Sequence, residues 1–383
     1  MKKKNIPFGM PLIDGLEHKA VRNVMSGPQL VHGPKAKKFE EKFGNFIGGK
    51  FCVSLNSCTA GLHLSYMYFG IGEGDEVIVP AQSHVATAHA VEYTGAKPIF
   101  VDVEKKTGNI DITQIQDRIT NRTKAIGLVH FAGLPVDMRP IIKIAKKNNL
   151  FVVEDAALAL GAKYNNMHVG LLGDVGSFSF YPVKHITTAE GGMLVTKNEK
   201  LFKAAMRLKA FGYDKMVGER RTQGLYDVDI LGYNFRMNEI QASIGIEQLK
   251  KLKGFLRKRK KNSQILRKNL NEFEEIRCLE DGNEIKEHAN YCLIIVLNSK
   301  LAKQRFEVMK KLKEFGIGTS IYYPGPIPNF KYYRQKYNLK KNHYPNALEI
   351  SMNSIALPVG PHLDSEDMLY ISNCLKNIIF KEK

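Results

Sequence analysis

The first two-thirds of this 383-residue chain alternates short apolar runs, rich in β-branched residues, with segments of helical periodicity. Several runs are apolar throughout, as expected for strands buried on both faces of a largely parallel sheet. The candidate strands are FCVSLNS, DEVIVP, KPIFVDV, AIGLVHF, LFVVEDAA, VGSFSFYP and GGMLVTK. Helical segments such as TAGLHLSYMYFG and MRPIIKIAKKNN lie between them. This alternation predicts an α/β layer architecture.

The last third of the chain has a different pattern. YCLIIVLN and GIGTSIYYPGP are typical of strands, and LAKQRFEVMKKLKEF and SEDMLYISNCLKNII are typical of helices. These segments predict a separate, smaller α+β domain, and the chain is long enough for two domains. We therefore predict a large α/β domain over residues 1–250 and a small C-terminal α+β domain over residues 251–383.

Composition argues against several classes of protein. No apolar run reaches the roughly 18 residues of a membrane helix, and the basic start MKKKNIPFGMPL lacks the apolar stretch of a signal peptide. The cysteines show no C-x-x-C pair, which argues against a disulfide framework and against a zinc site. They are Cys52, Cys58, Cys278, Cys292 and Cys374. We expect a reduced, cytoplasmic protein with no membrane span and no metal.

A net charge of +19 raises the question of an anionic partner. Such a charge suits nucleic acid, an anionic membrane surface or a phosphorylated substrate. The densest basic run, residues 248–262, carries Leu249, Leu252 and Leu256 at helical spacing, which predicts an amphipathic helix with a solvated lysine face. Interleaved aromatic residues or a known nucleic-acid module are absent from the sequence, so we do not expect nucleic-acid binding.

An acidic residue and a lysine follow two neighbouring strand candidates. Asp155 ends the run FVVED, and Lys184 lies in the Ser/Thr/Gly-rich turn after VGSFSFYP. Lysine amines form Schiff bases with carbonyls and with pyridoxal phosphate (PLP), and an acidic group commonly contacts the pyridinium nitrogen. Burial would depress the pKa of Lys184 and expose the free amine. The alternatives are a surface lysine and an aspartate that caps the next helix.

Two polar segments are candidates for binding a phosphate. Ser57, Cys58 and Thr59 open the helix that follows FCVSLN, and backbone N–H groups at a helix N-terminus bind anions. An ordinary N-cap explains the same residues equally well. Ser179 alternates with Phe178 and Phe180, so on a strand it points away from both rings.

Two further residues have open interpretations. His84, in PAQSHVATAHA, is either a satisfied loop residue or an aromatic platform for a planar cofactor. Asn234, in LGYNFRMNEIQA, is most simply a residue at a helix start. Spacing alone does not give Asn234 a role.

Together these segments resemble the DegT/DnrJ/EryC1/StrS family of PLP-dependent sugar aminotransferases, and the resemblance covers nearly the whole chain. It is carried by NSCTAGLHLS, GEGDEVIVP, VATAHAVEYTGAKPIFVDV, VHFAGLPVDM, VVEDAALALGA, GDVGSFSFYPVKHITTAEGGMLVT and LGYNFRMNEIQASIGIEQL. The resemblance implies PLP fold type I, as in aspartate aminotransferase. That fold has a mostly parallel seven-stranded sheet between helices and a smaller C-terminal domain.

The resemblance also implies roles for the candidate residues. Lys184 would hold the cofactor as a Schiff base and carry protons, and Asp155 would pair with the pyridine nitrogen. His84 would stack on the ring. Residues 57–59 and Ser179 would bind the phosphate. Asn234 would reach the phosphate of the other subunit, so the resemblance implies a homodimer with shared active sites.

Two positions depart from the family's pattern. The family usually has glycine where this chain has Cys58, which affects the approach of the backbone to the phosphate. It often has glutamine where this chain has Leu158, and that glutamine commonly contacts the ring hydroxyl of the cofactor. Some relatives are dehydratases with histidine at the lysine position, so Lys184 favours transamination.

We therefore predict a PLP-dependent aminotransferase of cytoplasmic surface-carbohydrate biosynthesis. It would move an amino group from an amino acid, with L-glutamate as the expected donor, to a keto sugar that is nucleotide-linked in the family's usual case. A smaller keto phosphate or a keto-polyol is an alternative acceptor. A PLP-dependent sugar dehydratase would also fit these residues, and a basic nucleic-acid-binding regulator would be a function of a different class.

Overall fold

The computed structural model of the protein describes residues 4–215, 222 and 224–380. Its strands are β1 (Phe51–Leu55), β2 (Glu76–Pro80), β3 (Lys97–Val101), β4 (Thr123–Val129), β5 (Phe151–Asp155), β6 (Lys163–Tyr164), β7 (Met167–His168), β8 (Val175–Ser179), β9 (Gly192–Thr196), β10 (Ile276–Cys278), β11 (Lys286–Glu287), β12 (Leu293–Leu297) and β13 (Ser354–Leu357). Its helices are α1 (Gly15–Met25), α2 (Pro34–Ile47), α3 (Cys58–Tyr68), α4 (Val85–Glu92), α5 (Met138–Lys147), α6 (Glu199–Leu208), α7 (Glu239–Leu270), α8 (Ser299–Ala302), α9 (Arg305–Glu314), α10 (Lys331–Tyr337), α11 (Pro345–Asn353) and α12 (Ser365–Phe380).

The central element is a seven-stranded sheet with the strand order β1-β9-β8-β5-β4-β2-β3. β9 runs antiparallel to both of its neighbours, and the other pairs in this sheet are parallel. The seven strands are the seven apolar runs of the first two-thirds of the sequence. The predicted α/β architecture with a mostly parallel sheet is confirmed.

Both faces of this sheet are buried, which explains why its strands are apolar throughout. In β2, Val77 and Val79 pack into one core cluster with Leu62 of α3. Ile78 lies on the opposite face, in a second cluster with Ile141 of α5. Burying each such side chain contributes about 1.5–3 kcal/mol, so helices on both faces stabilise the sheet.

The C-terminal part has its own small sheet, in the order β10-β12-β13, and its own core. Helix α7 extends from one core to the other: Ile246 belongs to the cluster beside the large sheet, and Leu266 belongs to the C-terminal cluster. The predicted boundary between residues 250 and 251 lies inside this helix. The division into two domains therefore stays a prediction.

One predicted strand of the C-terminal part does not form. The segment GIGTSIYYPGP, residues 316–326, makes only isolated bridges, from Ile317 to Ile6 and from Ser320 to Ala356. Pro324 and Pro326 lack the N–H that a strand donates, so the segment continues as a loop. This loop reaches the cavity described below.

The basic run at residues 248–262 lies in α7, as predicted. Leu252 is fully buried and Leu249 and Leu256 pack against the same cluster, while Lys253 and Arg257 are exposed. Asn238 begins the helix with a capping box that includes Gln241. Within the described part of the chain, none of the helices combines the length and the apolar character needed to cross a membrane.

Candidate active site

A cavity of about 580 Å³ lies at the carboxyl ends of β4, β5 and β8. The last residues of these strands, Val129, Asp155 and Ser179, line it. Crevices at the carboxyl ends of parallel strands are the usual ligand sites of α/β folds. The cavity brings together seven of the eight predicted site residues: Ser57, Cys58, Thr59, His84, Asp155, Ser179 and Lys184.

Asp155 is buried, and both of its carboxylate oxygens accept hydrogen bonds. Thr87 donates from Oγ1 to Oδ2 at 2.8 Å. The backbone N–H of Ala157 donates to Oδ1 at 3.1 Å, and Cys58 Sγ lies 3.9 Å from the same oxygen. These contacts hold a buried carboxylate at the wall of the cavity.

Lys184 lies in the loop after β8. β8 pairs with β5, the strand that ends with Asp155. Lys184 is half-buried as a residue, and desolvation of its amine lowers the pKa of Lys184 below the ordinary 10.5, while the nearby groups of Cys58 and Asp155 oppose this shift. Its Nζ lies 5.2 Å from the ring centroid of Tyr291. A lowered pKa increases the fraction of free amine, which is the nucleophilic form.

The N-terminus of α3 forms a polar corner of the cavity. Ser57 is the N-cap, and its hydroxyl accepts a hydrogen bond from the N–H of Ala60 at 3.1 Å. The N-cap interpretation of Ser57 is therefore correct. Thr59, in the first turn of the helix, lines the cavity beside Ser179. Two hydroxyls beside a helix N-terminus suit a phosphate.

Two strands hold this corner in place. Phe178 of β8 and Phe180, directly after the strand, pack on Phe43 with centroids 5.2 and 5.6 Å away, and Ser179 between them faces the cavity, as the alternation predicts. On β9, a side-chain carbon at Gly192 would lie 2.3 Å from the carbonyl carbon of Ser57. Glycine is required there because the strand touches the backbone at the helix start.

His84 is exposed, lines the cavity and also caps α4. Its Nδ1 accepts the N–H of Ala86 at 3.2 Å. Its ring lies edge-on to Tyr323, with centroids 5.6 Å apart. His84 is therefore a satisfied loop residue whose ring also lies at the cavity wall, and its role as a platform for the cofactor stays a prediction.

Asn234 is not brought to this cavity. It is exposed, bridges Ala210, and its carbonyl oxygen accepts a hydrogen bond from Asn56 Nδ2 at 3.5 Å. It is not a helix start either, because α7 begins after Asn238.

Sequence reasoning missed a tyrosine-rich wall contributed by the C-terminal part. Tyr291 and Tyr322 share a hydrogen bond of 2.7 Å between their hydroxyls, and Tyr323 lies beside them. Gln82 Nε2 donates to the carbonyl of Tyr322 at 2.8 Å and holds this loop against the α4 side of the cavity. The only signal in the sequence was the tyrosine pair itself, within a segment that resembles a strand.

The two departures from the family's pattern both lie in the cavity wall. Cys58 is buried, and burial raises the pKa of its thiol, so a neutral S–H faces Asp155. Leu158 is 3% exposed and adds only apolar surface to the cavity. A leucine has no donor for a ring hydroxyl.

The chemistry of these side chains fits PLP. With PLP bound, the carboxylate of Asp155 would meet the pyridinium nitrogen and the amine of Lys184 would meet the aldehyde. The start of α3 and Ser179 would hold the phosphate. Leu62 and Leu158 add apolar wall to the same cavity. Within the described residues, no group of three or more His, Cys, Asp or Glu side chains is arranged to hold a metal ion.

Fold and cavity together define an aminotransferase of PLP fold type I. The chain belongs to the DegT/DnrJ/EryC1/StrS aminotransferase family, whose model matches residues 11–376. The family is PLP-dependent, so the predictions of family, fold class, cofactor and aminotransferase activity are confirmed.

Similar proteins match the chain over nearly its full length. An uncharacterized protein of Methanocaldococcus jannaschii is 38% identical, with 100% of each chain covered. The spore coat polysaccharide biosynthesis protein SpsC of Bacillus subtilis is 34% identical, with 99% of each chain covered. GDP-perosamine synthase of Escherichia coli O157:H7 is also 34% identical, covering 99% of this chain and 100% of that protein.

Solved structures agree with this placement. Spr1654 of Streptococcus pneumoniae in its PMP form superposes with a TM-score of 0.93 at 29% identity, covering 98% of this chain and 100% of the other. PseC of Helicobacter pylori, an aminotransferase involved in the biosynthesis of pseudoaminic acid, gives 0.91 at 29% identity, covering 98% and 99%.

Proposed function

We propose that this aminotransferase moves an amino group from an amino acid, with L-glutamate as the expected donor, to a keto sugar in surface-carbohydrate biosynthesis. One observation carries the site assignment: Lys184, Asp155 and the N-terminus of α3 line a single cavity. The names of SpsC, GDP-perosamine synthase and PseC support a carbohydrate acceptor.

When bound, PLP supplies an electrophilic aldehyde and an electron sink for the reaction. In the proposal Lys184 holds the cofactor and carries a proton on Nζ to and from the substrate carbon, as general acid and base. Asp155 keeps the ring nitrogen protonated. Thr59, Ser179 and the start of α3 orient the phosphate, and His84 lies against the ring.

The tyrosine wall suits the sugar end of the acceptor. Ser320, Tyr322 and Tyr323 bring hydroxyls and aromatic faces to the side of the cavity that the C-terminal part covers. Such groups bind sugar hydroxyls and the apolar face of a sugar ring. The positive net charge supports a phosphorylated acceptor, with a nucleotide-linked sugar as the first choice.

The proposal includes a homodimer with shared active sites. Leu225, Val228 and Leu231 are exposed apolar residues in the segment just before Asn234, and Leu231 is 79% exposed. A second copy of the chain would cover them, since several large exposed apolar side chains in one segment are typical of an interface. Asn234, exposed in its own chain, would then contact the phosphate in the partner's cavity.

We also propose that the reaction takes place in the cytoplasm. All five cysteines are free thiols, and a reducing compartment maintains thiols.

A half-reaction experiment tests the activity. The PLP-loaded protein is mixed with L-glutamate in a single turnover, and the absorbance of bound PLP is followed. Conversion of PLP to pyridoxamine phosphate with one equivalent of 2-oxoglutarate is expected, followed by recovery of PLP when a nucleotide-linked keto sugar is added. If L-glutamate and other amino acids all leave the cofactor unchanged, transamination is wrong and a dehydratase becomes the better description.

A further inference from the structure

Asp155 has a partner that does not itself touch the cavity. Thr87, in the first turn of α4, donates to Asp155 Oδ2 at 2.8 Å. Its oxygen lies 2.8 Å from Ser83 Oγ. A hydroxyl has one hydrogen, so if Thr87 donates to the carboxylate, Ser83 donates to Thr87. The three side chains form a buried chain of hydrogen bonds that ends on the carboxylate.

The two oxygens of Asp155 are held from different elements. Oδ1 faces the N–H of Ala157, in the segment after β5, and the thiol of Cys58 at the start of α3. Oδ2 is held by Thr87 from α4. An ionised carboxylate has about four lone-pair sites, so one remains on Oδ2 for the cofactor.

We propose that Thr87 is a positioning residue for the cofactor: it fixes Oδ2, and with it the direction in which Asp155 meets the ring nitrogen of PLP. Ser83 fixes the Thr87 hydroxyl in turn. The inference rests on the proposed role of Asp155. A purely structural Thr87 would tie α4 to β5 without affecting the cofactor.

The experiment compares three variants with the wild-type holoenzyme. Thr87→Val keeps the shape but removes the donor, and Thr87→Ser keeps the hydroxyl. Thr196→Val is the matched control, because Thr196 is another buried threonine whose hydroxyl donates to a carbonyl, that of Asp174 at 2.8 Å. The readouts are the dissociation constant of PLP, the pH dependence of its bound absorption spectrum, and stability in urea.

Thr87→Val is expected to weaken PLP binding about tenfold or more, because hydrogen bonds to charged groups contribute more than neutral ones. It should also shift the pH midpoint of the bound spectrum. Thr87→Ser should keep the wild-type PLP affinity and the wild-type pH midpoint, because it keeps the hydroxyl. Thr196→Val should change only the stability. If Thr87→Val does not fold, Ser83→Ala carries the test, with a smaller change expected in the same two readouts.

Asp155→Ala separates the two possible failures. If Asp155→Ala leaves PLP affinity and spectrum unchanged, the proposed role of Asp155 is wrong. If Asp155→Ala changes both but Thr87→Val behaves like Thr196→Val, only the Thr87 inference is overturned. An unchanged Ser83→Ala holoenzyme overturns it in the same way when Thr87→Val cannot be obtained.

Discussion

Two adjacent carboxylates at the end of β5 have different surroundings. Glu154 is fully buried and accepts hydrogen bonds from the N–H groups of Gly170, Leu172 and Gly173 at 2.6–2.8 Å. His130 Nε2 lies 2.8 Å from it. Asp155 points to the opposite face of the sheet, into the cavity. Glu154 therefore fixes a loop, and Asp155 is available to a ligand.

At the residue scale, desolvation of the Lys184 amine should make the apoprotein less stable than a variant with an uncharged side chain at this position. Its pKa is lowered in the folded state, so between that pKa and 10.5 the unfolded chain binds more protons and stability rises with pH. Lys184→Met should therefore be more stable than wild-type apoprotein at pH 7, with the difference shrinking toward pH 9.5. Urea unfolding at both pH values measures this.

Lys251→Met is the control of opposite sign. Desolvation lowers the pKa of Lys251, but hydrogen bonds with Asp14 and Glu17 outweigh it and raise the pKa. Its stabilising contribution is present below the ordinary pKa and is lost as the pH rises through the folded value. Lys251→Met should therefore be less stable at pH 7. A Lys184→Met difference that does not depend on pH would contradict the account.

Some of the residues that line the cavity could be predicted from the sequence, and others could not. Lys184, Asp155 and Ser179 were recognisable because each follows a strand with a clear apolar pattern. Glu154 and Asp155 could be told apart only by which face of the strand each occupies. Tyr291 and Tyr322 were not predicted, since they reach the cavity from a distant part of the chain through tertiary packing alone.

At the scale of elements, the contact between β9 and α3 should be intolerant of a side chain. A Cβ at position 192 would lie 2.3–2.5 Å from backbone atoms of Ser57 and Cys58, which cannot move aside cheaply. Gly192→Ala should cost about 1–3 kcal/mol of stability, as overpacking does. It should also weaken PLP binding, because the start of α3 must shift. Urea unfolding and a PLP titration measure the two effects.

Gly254→Ala is the matched control for this substitution. Gly254 lies within α7, and a Cβ there would meet nothing within 4 Å. The change should stabilise the protein by about 0.5–1 kcal/mol, because alanine favours helix, and leave PLP affinity unchanged. Wild-type PLP affinity in Gly192→Ala would show that the helix start does not hold the phosphate.

The elements themselves were largely predictable, because strands buried on both faces carry an unbroken apolar pattern. Their order was not, since β1 and β9 pair across a long stretch of chain and the local sequence does not encode that pairing. The segment at residues 316–326 was mistaken for a strand because its apolar residues face the cavity and the core from a loop. Within this segment, only Pro324 and Pro326 indicated a loop.

At the scale of the whole molecule, the proposed dimer predicts a site of association. Leu231→Glu places a charge where we propose a partner packs, and it should weaken self-association about tenfold or more. Phe306→Glu is the control, because Phe306 is 68% exposed on α9, a separate helix. Light scattering over a range of concentrations measures the mass. A monomeric wild type, or equal behaviour of the two variants, would count against the shared site.

Every role proposed for the cavity depends on Lys184 holding PLP. Borohydride reduction of the holoenzyme, followed by peptide mass mapping, tests it most directly, because reduction makes the bond between lysine and cofactor permanent. We expect one PLP adduct per chain, on Lys184, and none in the Lys184→Ala protein. An adduct on another lysine, or the same adduct yield in Lys184→Ala, would contradict it.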